Sequence, residues 1–119
     1  MKDRIVLPLP PSVNAMYGTG FDGHKYLTEA AVVWKQEAIL TLRTKQRVHW
    51  RGMKVVVECW VYWKDNRRRD IDNLCKCIND SIQESGVIDD DRWVLFRAMD
   101  WEVDRKRPRI ELRIYKLES

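Results

Sequence analysis

Four segments of the chain have hydrophobic patterns that predict strands. Residues 4–8 predict a first short strand, which the proline-rich segment 8–11 ends because proline fixes φ and lacks an amide donor. Residues 55–63 are apolar on both faces, a pattern typical of a central strand that is covered on both sides. Two further strands are predicted from about 92 to 103 and from 109 onwards.

Two other segments show the spacing of a helix instead. Thr28 is a suitable N-cap, and we predict a first helix from there to about Arg47. Its apolar positions recur at helical spacing: Ala31, Trp34, Ala38 and Leu42. A second helix ends at Gly86, a natural residue for a helix C-terminus. Its apolar stripe is formed by Ile71, Leu74, Cys75, Ile78 and Ile82, and its opposite face carries Asp72, Lys76, Asn79 and Gln83.

The predicted order of elements is therefore β-α-β-α-β-β. This order indicates an α+β (mixed α/β) fold in which a mixed sheet packs against two helices, as a single domain over residues 1–119. Residues 12–27 show no sustained period, and we expect a long ordered loop of the kind that often contacts ligands. Its candidate contact residues are Asn14, Tyr17, His24 and Lys25, unless these residues only hold the turns of the loop itself.

Composition narrows the class of protein. The 119 residues are 45% hydrophobic and 34% charged, as in an ordinary globular domain. With no signal-like segment and no apolar run of roughly 20 residues, we expect a cytoplasmic protein without a membrane partner. The cysteines are odd in number, and with two histidines they do not reach the spacing of a structural zinc site. We interpret Cys59, Cys75 and Cys77 as buried apolar fillers.

The net charge of +4 hides clusters of each sign along the chain. Basic residues gather in segments 43–54, 64–69 and 105–109, and aspartates gather at 70–72 and 89–91. A basic surface with tight carboxylate clusters suits a polyanion that is handled together with a cation, as at the metal site of a nucleic-acid enzyme. The alternative is a solvated surface of mixed charge.

The candidate chemistry centres on Asp70 and Asp72, where the central strand gives way to the second helix. Two carboxylates about 4 Å apart repel by roughly 4 kcal/mol at an effective dielectric of 20, so a counter-charge is needed. A divalent cation would relieve the repulsion, and hard carboxylate oxygens select Mg²⁺ or Mn²⁺ over zinc. Such an ion activates water and neutralises charge that grows on the phosphoryl oxygens.

The third carboxylate is predicted within residues 89–91, which we expect to reach the same end of the fold as Asp70. Asp91 is the first choice and Asp90 the second. Lys76 would add a positive charge, and the basic residues 67–69 would hold flanking phosphates. Each part also has a structural interpretation: Asp70 as an N-cap, Asp72 with Lys76 as a surface ion pair, and residues 89–91 as a turn.

At this point the sequence resembles the RusA family of Holliday junction resolvases. The residues that carry the resemblance are Arg67-Arg68-Arg69-Asp70-Ile71-Asp72-Asn73-Leu74-Cys75-Lys76, followed by Asp80, Gly86 and Asp90-Asp91, with the early segment Pro10-Pro11-Ser12-Val13-Asn14. Length and element order agree along essentially the whole chain. The pair Cys75 and Cys77 and the additional Asp89 are less typical of the family.

The resemblance implies a homodimeric, Mg²⁺-dependent endonuclease that cuts four-way DNA junctions by symmetric paired nicks during recombination and repair. It places Asp70, Asp72 and Asp91 in the catalytic acidic set, with Lys76 assisting. We expect DNA contacts from Arg67, Arg68, Arg69, Asn73, Lys76 and Asn14. Two alternatives remain open from the residues alone: a non-catalytic module that binds branched nucleic acid, and a metal-dependent nuclease that acts on other DNA or RNA structures. The six tryptophans belong to the core, to a dimer surface or to wedges at a branch point.

Overall fold

The computed structural model describes residues 4–67 and 71–118, with the backbone alone at residues 13 and 14. The strands are β1 (Ile5–Pro8), β2 (Tyr17–Thr19), β3 (Lys25–Leu27), β4 (Val55–Trp63), β5 (Val94–Val103) and β6 (Arg109–Lys116). The helices are α1 (Val13–Met16), α2 (Glu29–Lys45) and α3 (Asp72–Ser85), and a 3₁₀ turn covers Asp91–Trp93. The α+β class and the main order of elements are confirmed.

The main sheet has the strand order β1-β6-β4-β5. Strand β4 lies inside the sheet, parallel to β5 and antiparallel to β6, and β1 is antiparallel to β6. Strands β1, β4 and β5 therefore all end at one end of the sheet, which we call the carboxyl end, and begin at the opposite amino end. Helix α3 connects the carboxyl end of β4 to the amino end of β5, as a parallel strand pair requires.

The core lies between this sheet and the two long helices. Helix α2 buries the four apolar residues predicted for it, and Thr28 caps it by accepting a hydrogen bond from the Ala31 amide. Helix α3 buries Leu74, Ile78 and Ile82 and ends at Gly86, whose φ of 88° is left-handed. Each fully buried aliphatic side chain contributes about 1.5–3 kcal/mol to folding. This packing holds α3 in a fixed position on the sheet and so fixes the positions of the residues at its two ends.

The other face of β4 is covered by side chains of its own sheet. The guanidinium carbon of Arg4 lies 3.5 Å from the ring centroid of Trp60, and that of Arg109 lies 3.8 Å from Tyr62. The Tyr115 hydroxyl donates to Glu58 at 3.1 Å. The aromatic residues of β4 on this face are thus covered by long side chains of neighbouring segments. This explains why both faces of β4 have an apolar pattern although helices cover only one.

The structure corrects several boundaries. The segment 12–27 is not a continuous loop, because it contains α1 and a hairpin of β2 and β3. These elements have three or four residues each, too few to show a period. Helix α2 ends at Lys45 rather than Arg47, and β1 begins at Ile5 rather than Arg4. Strand β5 begins at Val94 because the 3₁₀ turn precedes it.

The cysteines and tryptophans divide between core and surface. Cys59 is buried as predicted, whereas Cys75 and Cys77 are only partly buried, and all three thiols are free. Trp34, Trp50 and Trp63 belong to the core, but Trp101 remains 54% exposed. No helix within the described residues is both long and apolar enough to cross a membrane.

Candidate metal and nucleic-acid site

The carboxyl end of β4 leads into the segment that carries the predicted acidic and basic residues. Asp72 is the first residue of α3 and is exposed. Arg67 lies before it, with its amide donating to Asp65 at 3.1 Å and its side chain 3.8 Å from the same carboxylate. The predicted site residues Arg68, Arg69 and Asp70 lie outside the described residues.

Asp91 follows α3 in the chain, and its backbone lies beside Gln83. Its amide donates to Gln83 in the last turns of α3 at 2.8 Å. A helix of 14 residues is about 21 Å long, and the parallel pairing of β4 and β5 places α3 between the two acidic segments. Asp72 begins α3 and Asp91 follows its end, and the charges of both raise the pKa of the same Cys75 thiol.

The pKa of the Cys75 thiol is raised from its ordinary value, and the carboxylates of Asp72 and Asp91 both contribute to the shift. Burial raises its pKa most, a hydrogen bond from Asn79 lowers it, and the negative charges of Asp72 and Asp91 raise it further. The side-chain amide of Asn79 is 3.3 Å from the sulfur. One stripe along α3 consists of residues at helical spacing: Asp72, Cys75, Asn79 and Gln83. We call these four residues, together with Asp91, the acidic stripe.

The three consecutive aspartates have different environments. Asp89 accepts a hydrogen bond from the amide of Gly52 at 3.2 Å, and Asp90 accepts one from the amide of Arg92 at 2.9 Å, where it caps the 3₁₀ turn. No side chain or amide within residues 4–67 and 71–118 donates to the carboxylate of Asp91. This difference favours Asp91 over Asp90 as a ligand, although one oxygen of Asp90 stays available.

The remaining candidates on α3 and in the early segment are solvent-facing or undescribed. Lys76 pairs with Asp80 at 3.5 Å, one turn further along the helix, and it is largely exposed. Asn73 is exposed beside Asp72. The backbone of Asn14 lies in α1, and nothing is described of its side chain.

Two basic segments that are distant in sequence meet at the carboxyl end of the sheet. The amide of Asp104 donates to the carbonyl of Trp63 at 2.8 Å, which joins the turn after β5 to the end of β4. We call the exposed cations around this contact the basic rim: Lys64, Arg67, Arg105, Lys106 and Arg107. Among the described residues, Arg67 is the only one of these five whose side chain pairs with a carboxylate. Arg109, by contrast, turns inward to Asp104 and Glu111.

The donors present fit a hard cation, but the described residues do not complete a site. No group of three potential metal ligands occurs within residues 4–67 and 71–118. Asp72 and Asp91 supply carboxylate oxygens, which Mg²⁺ and Mn²⁺ prefer, and Asp70 falls in the undescribed segment between Arg67 and Ile71.

Fold and site together define a class. A small α+β domain carries an acidic helix stripe that begins beside a basic rim, the arrangement of a nuclease that holds a polyanion near its carboxylates.

Known proteins agree with this class. A family model described as Endodeoxyribonuclease RusA matches residues 8–115. The crossover junction endodeoxyribonuclease RusA of Escherichia coli strain K12 is 32% identical over 121 aligned positions, which cover 95% of this chain and 93% of that protein. The enzyme of the same name from Enterobacteria phage HK97 is 33% identical over 95 positions, covering 74% of this chain and 72% of that protein.

The chain therefore belongs to the RusA family of endodeoxyribonucleases, which hydrolyse phosphodiester bonds in DNA. Membership implies a divalent metal requirement in general. The resemblance seen in the sequence is confirmed.

Sequence reasoning missed one part of the site. The basic turn of residues 105–107 was recognised as a charge cluster but was not assigned to DNA. Its position at the same end of the sheet as Arg67 depends on β4 and β5 being parallel and adjacent, which the hydrophobic pattern does not specify. The charge cluster was the only signal in the sequence.

Proposed function

We propose that this chain is a structure-specific endonuclease that resolves four-way DNA junctions by symmetric paired nicks, in cytoplasmic recombination and repair. The whole chain, residues 1–119, acts as one domain. The observation that carries the proposal is the acidic stripe of α3, which begins at the basic rim. The names of the relatives support the choice of substrate.

The proposed cofactor is Mg²⁺, which Mn²⁺ can replace, held by Asp70, Asp72 and Asp91, with Asp90 as a further ligand. When bound, the ion supplies the activation of water and the neutralisation of charge on the scissile phosphate. The side chains of the protein position the ion and the scissile phosphate. Asp91 supports this assignment because its carboxylate receives no hydrogen bond from the described residues.

The cations have a separate role in this proposal. Lys76 adds positive charge near the cleaved phosphate, and it must leave Asp80 to do so. Arg67, Arg68 and Arg69 hold the flanking phosphates, with further contacts from Asn73 and Asn14. Phosphate contacts of this kind set the register of the duplex and hold the scissile bond in place.

The proposed active species is a homodimer. A four-way junction is approximately two-fold symmetric, and its resolution requires two opposed cuts. A two-fold pair of identical sites supplies both, whereas one site would leave a single nick.

The test is cleavage of a synthetic four-way junction with Mg²⁺ by the wild type and by Asp70→Asn. We expect the variant to lose cleavage while its binding to the junction stays intact or tightens, because it removes a negative charge that repels phosphate. An Asp70→Asn variant that cuts normally would refute the metal assignment.

The substrate is tested on the same preparation. Junction, flap, single-stranded DNA and RNA substrates are compared by the sizes of their products. Preferential cutting of flaps, single strands or RNA would favour the nuclease alternative. Binding without cutting by the wild type would favour the non-catalytic module.

A further inference from the structure

The tip of the hairpin formed by β2 and β3 presents an aromatic side chain to solvent. Phe21 has a relative exposure of 114%, so its ring is as open as in an extended peptide. Among the side chains that the structure describes, the next most exposed large apolar one is that of Leu40, at 61%. Burying an aromatic ring is strongly favourable, so the fully open ring of Phe21 is available to stack on a ligand.

The turn that carries Phe21 is held by hydrogen bonds. The amide of Gly23 donates to the carbonyl of Gly20 at 3.0 Å, and the amide of Gly20 donates to the carbonyl of His24 at 2.9 Å. The amide of His24 also donates to the side chain of Asp22 at 3.0 Å. Gly23 has a φ of 81°, which glycine adopts without strain. The ring is thus presented on a preformed turn, and little backbone order has to be gained on binding.

The body of the hairpin is also fixed to the domain. The ring of Tyr26 lies against Gly18 so closely that a Cβ at Gly18 would be 2.4 Å from it. The hydroxyl of Thr28 donates to the carbonyl of Ala15 at 2.6 Å, and the amide of Thr28 donates to Met16, which is buried. The hairpin that carries Phe21 is therefore held in place against the rest of the domain.

The hairpin belongs to the same end of the fold as the basic rim. The hairpin lies in the chain between the end of β1 and the beginning of α2. These two elements are in contact, because the indole of Trp34 in α2 donates to the carbonyl of Pro8 in β1 at 2.8 Å. Pro8 pairs with Arg109, which follows the turn that carries most of the basic rim. The turn itself has mixed charge, because the exposed Asp22 carboxylate lies 3.9 Å from the His24 ring and Lys25 follows it. The cations that suit a polyanion at this end of the fold are those of the basic rim.

We propose that Phe21 is an aromatic wedge that stacks on an unstacked DNA base at the branch point. This inference rests on the proposed junction substrate. Bases at a branch point are easier to unstack than bases within a duplex, and a ring on a rigid tip at the end of the fold that carries the basic rim can take the place of the lost base neighbour. Phe21 thereby contributes to the choice of branched over linear DNA.

The test uses a four-way junction with 2-aminopurine at the branch point, whose fluorescence rises when the base leaves its stack, in Ca²⁺ so that the DNA stays intact. We compare the full-length wild type with Phe21→Ala, with Phe21→Trp and with the control Leu40→Ala. For Phe21→Ala we expect the fluorescence change to disappear and junction affinity to fall about tenfold relative to linear duplex. Phe21→Trp should retain both properties, and Leu40→Ala should behave as the wild type.

Thermal melting checks folding, which Phe21→Ala should not alter because the ring packs on nothing. A Phe21→Ala variant that unstacks the base and prefers junctions as the wild type does would overturn the wedge and leave the proposed function standing. A wild type that neither prefers nor cuts junctions would overturn both. A change of oligomeric state in Phe21→Ala, without a change in the fluorescence response, would instead assign the ring to a contact between two copies of the chain.

Discussion

The two ends of the sheet both carry clustered cations, but they use them differently. At the amino end, Arg43 donates to the carbonyl of Ser85, and Arg51 donates to the carbonyl of Gly86. These arginines satisfy carbonyls at the end of α3, which helix geometry leaves without partners. At the carboxyl end, the amides of Lys106 and Arg107 donate to Asp104, but within the described residues no carboxylate pairs with the side chains of Arg105, Lys106 and Arg107.

The same contrast holds for the acidic residues. Asp89 and Asp90 are engaged by backbone amides and so stabilise the turn that leads into β5. Asp91 is the next residue, yet its carboxylate faces no donor within the described chain. The comparison shows that charge clusters in a sequence mix structural and functional residues, and that hydrogen-bond partners separate them.

The largest expected effect separates two aspartates of the same turn. Asp91→Asn should lower the rate of junction cleavage about a thousandfold, which corresponds to roughly 4 kcal/mol of lost charge stabilisation, and leave the melting temperature nearly unchanged. The matched control is Asp89→Asn, which should keep the cleavage rate. The Asn oxygen still accepts from the Gly52 amide but carries no charge, so this hydrogen bond is weaker and the variant should lose about 1 kcal/mol of stability.

Single-turnover cleavage and thermal unfolding measure the two quantities. Equal cleavage rates for both variants would remove Asp91 from the metal ligands. A reversed pattern, with Asp89→Asn inactive and Asp91→Asn merely unstable, would exchange their roles.

A smaller effect is expected from the cations of the two ends. Reversing the charge of residues 105–107 to glutamate should weaken junction binding on the order of tenfold at low salt. The slope of log affinity against log salt should become shallower by about 0.9 for each phosphate that the variant no longer neutralises. The control reverses Lys45 and Arg47 at the amino end, where we expect the slope to stay as in the wild type. If the slope of the control variant falls by as much, the basic rim is not the preferred DNA surface.

The sequence predicted most of the fold because its long elements have strong periods. Residues 55–63 are a strand with the predicted bounds, and the apolar positions of α2 are all buried. The hairpin of β2 and β3 was missed because each strand has three residues, and its stability comes from contacts such as that of Tyr26 with Gly18. Such contacts are not periodic and leave no pattern in the sequence.

The site was predictable in residue type but not in arrangement. The spacing of Asp70 and Asp72 indicated a cation, and the charge clusters indicated DNA. The contact of the Asp91 amide with Gln83, and the effect of Asp72 and Asp91 on the same Cys75 thiol, depend on how the chain turns from α3 into β5, which local pattern does not reveal. The distinction between Asp89, Asp90 and Asp91 depends on single hydrogen bonds, which sequence spacing cannot assign.

The smallest effect concerns how the basic rim is held in place. Asp104 begins the turn that carries residues 105–107. A hydrogen bond from Arg109, together with the amides of Arg107 and Lys106, holds the pKa of Asp104 below its usual value of 3.8. A carboxylate whose folded pKa is lowered adds stability above its unfolded pKa, and this contribution is lost as the pH falls through the folded pKa.

Asp104→Asn removes that charge and should lower the melting temperature slightly at neutral pH. The difference from the wild type should shrink as the pH falls from about 5 to about 3, because the wild-type carboxylate then becomes protonated. Melting curves across this range measure the effect. A difference that stays constant with pH would mean that Asp104 holds the turn through hydrogen bonding alone, and that its charge contributes nothing to positioning the rim.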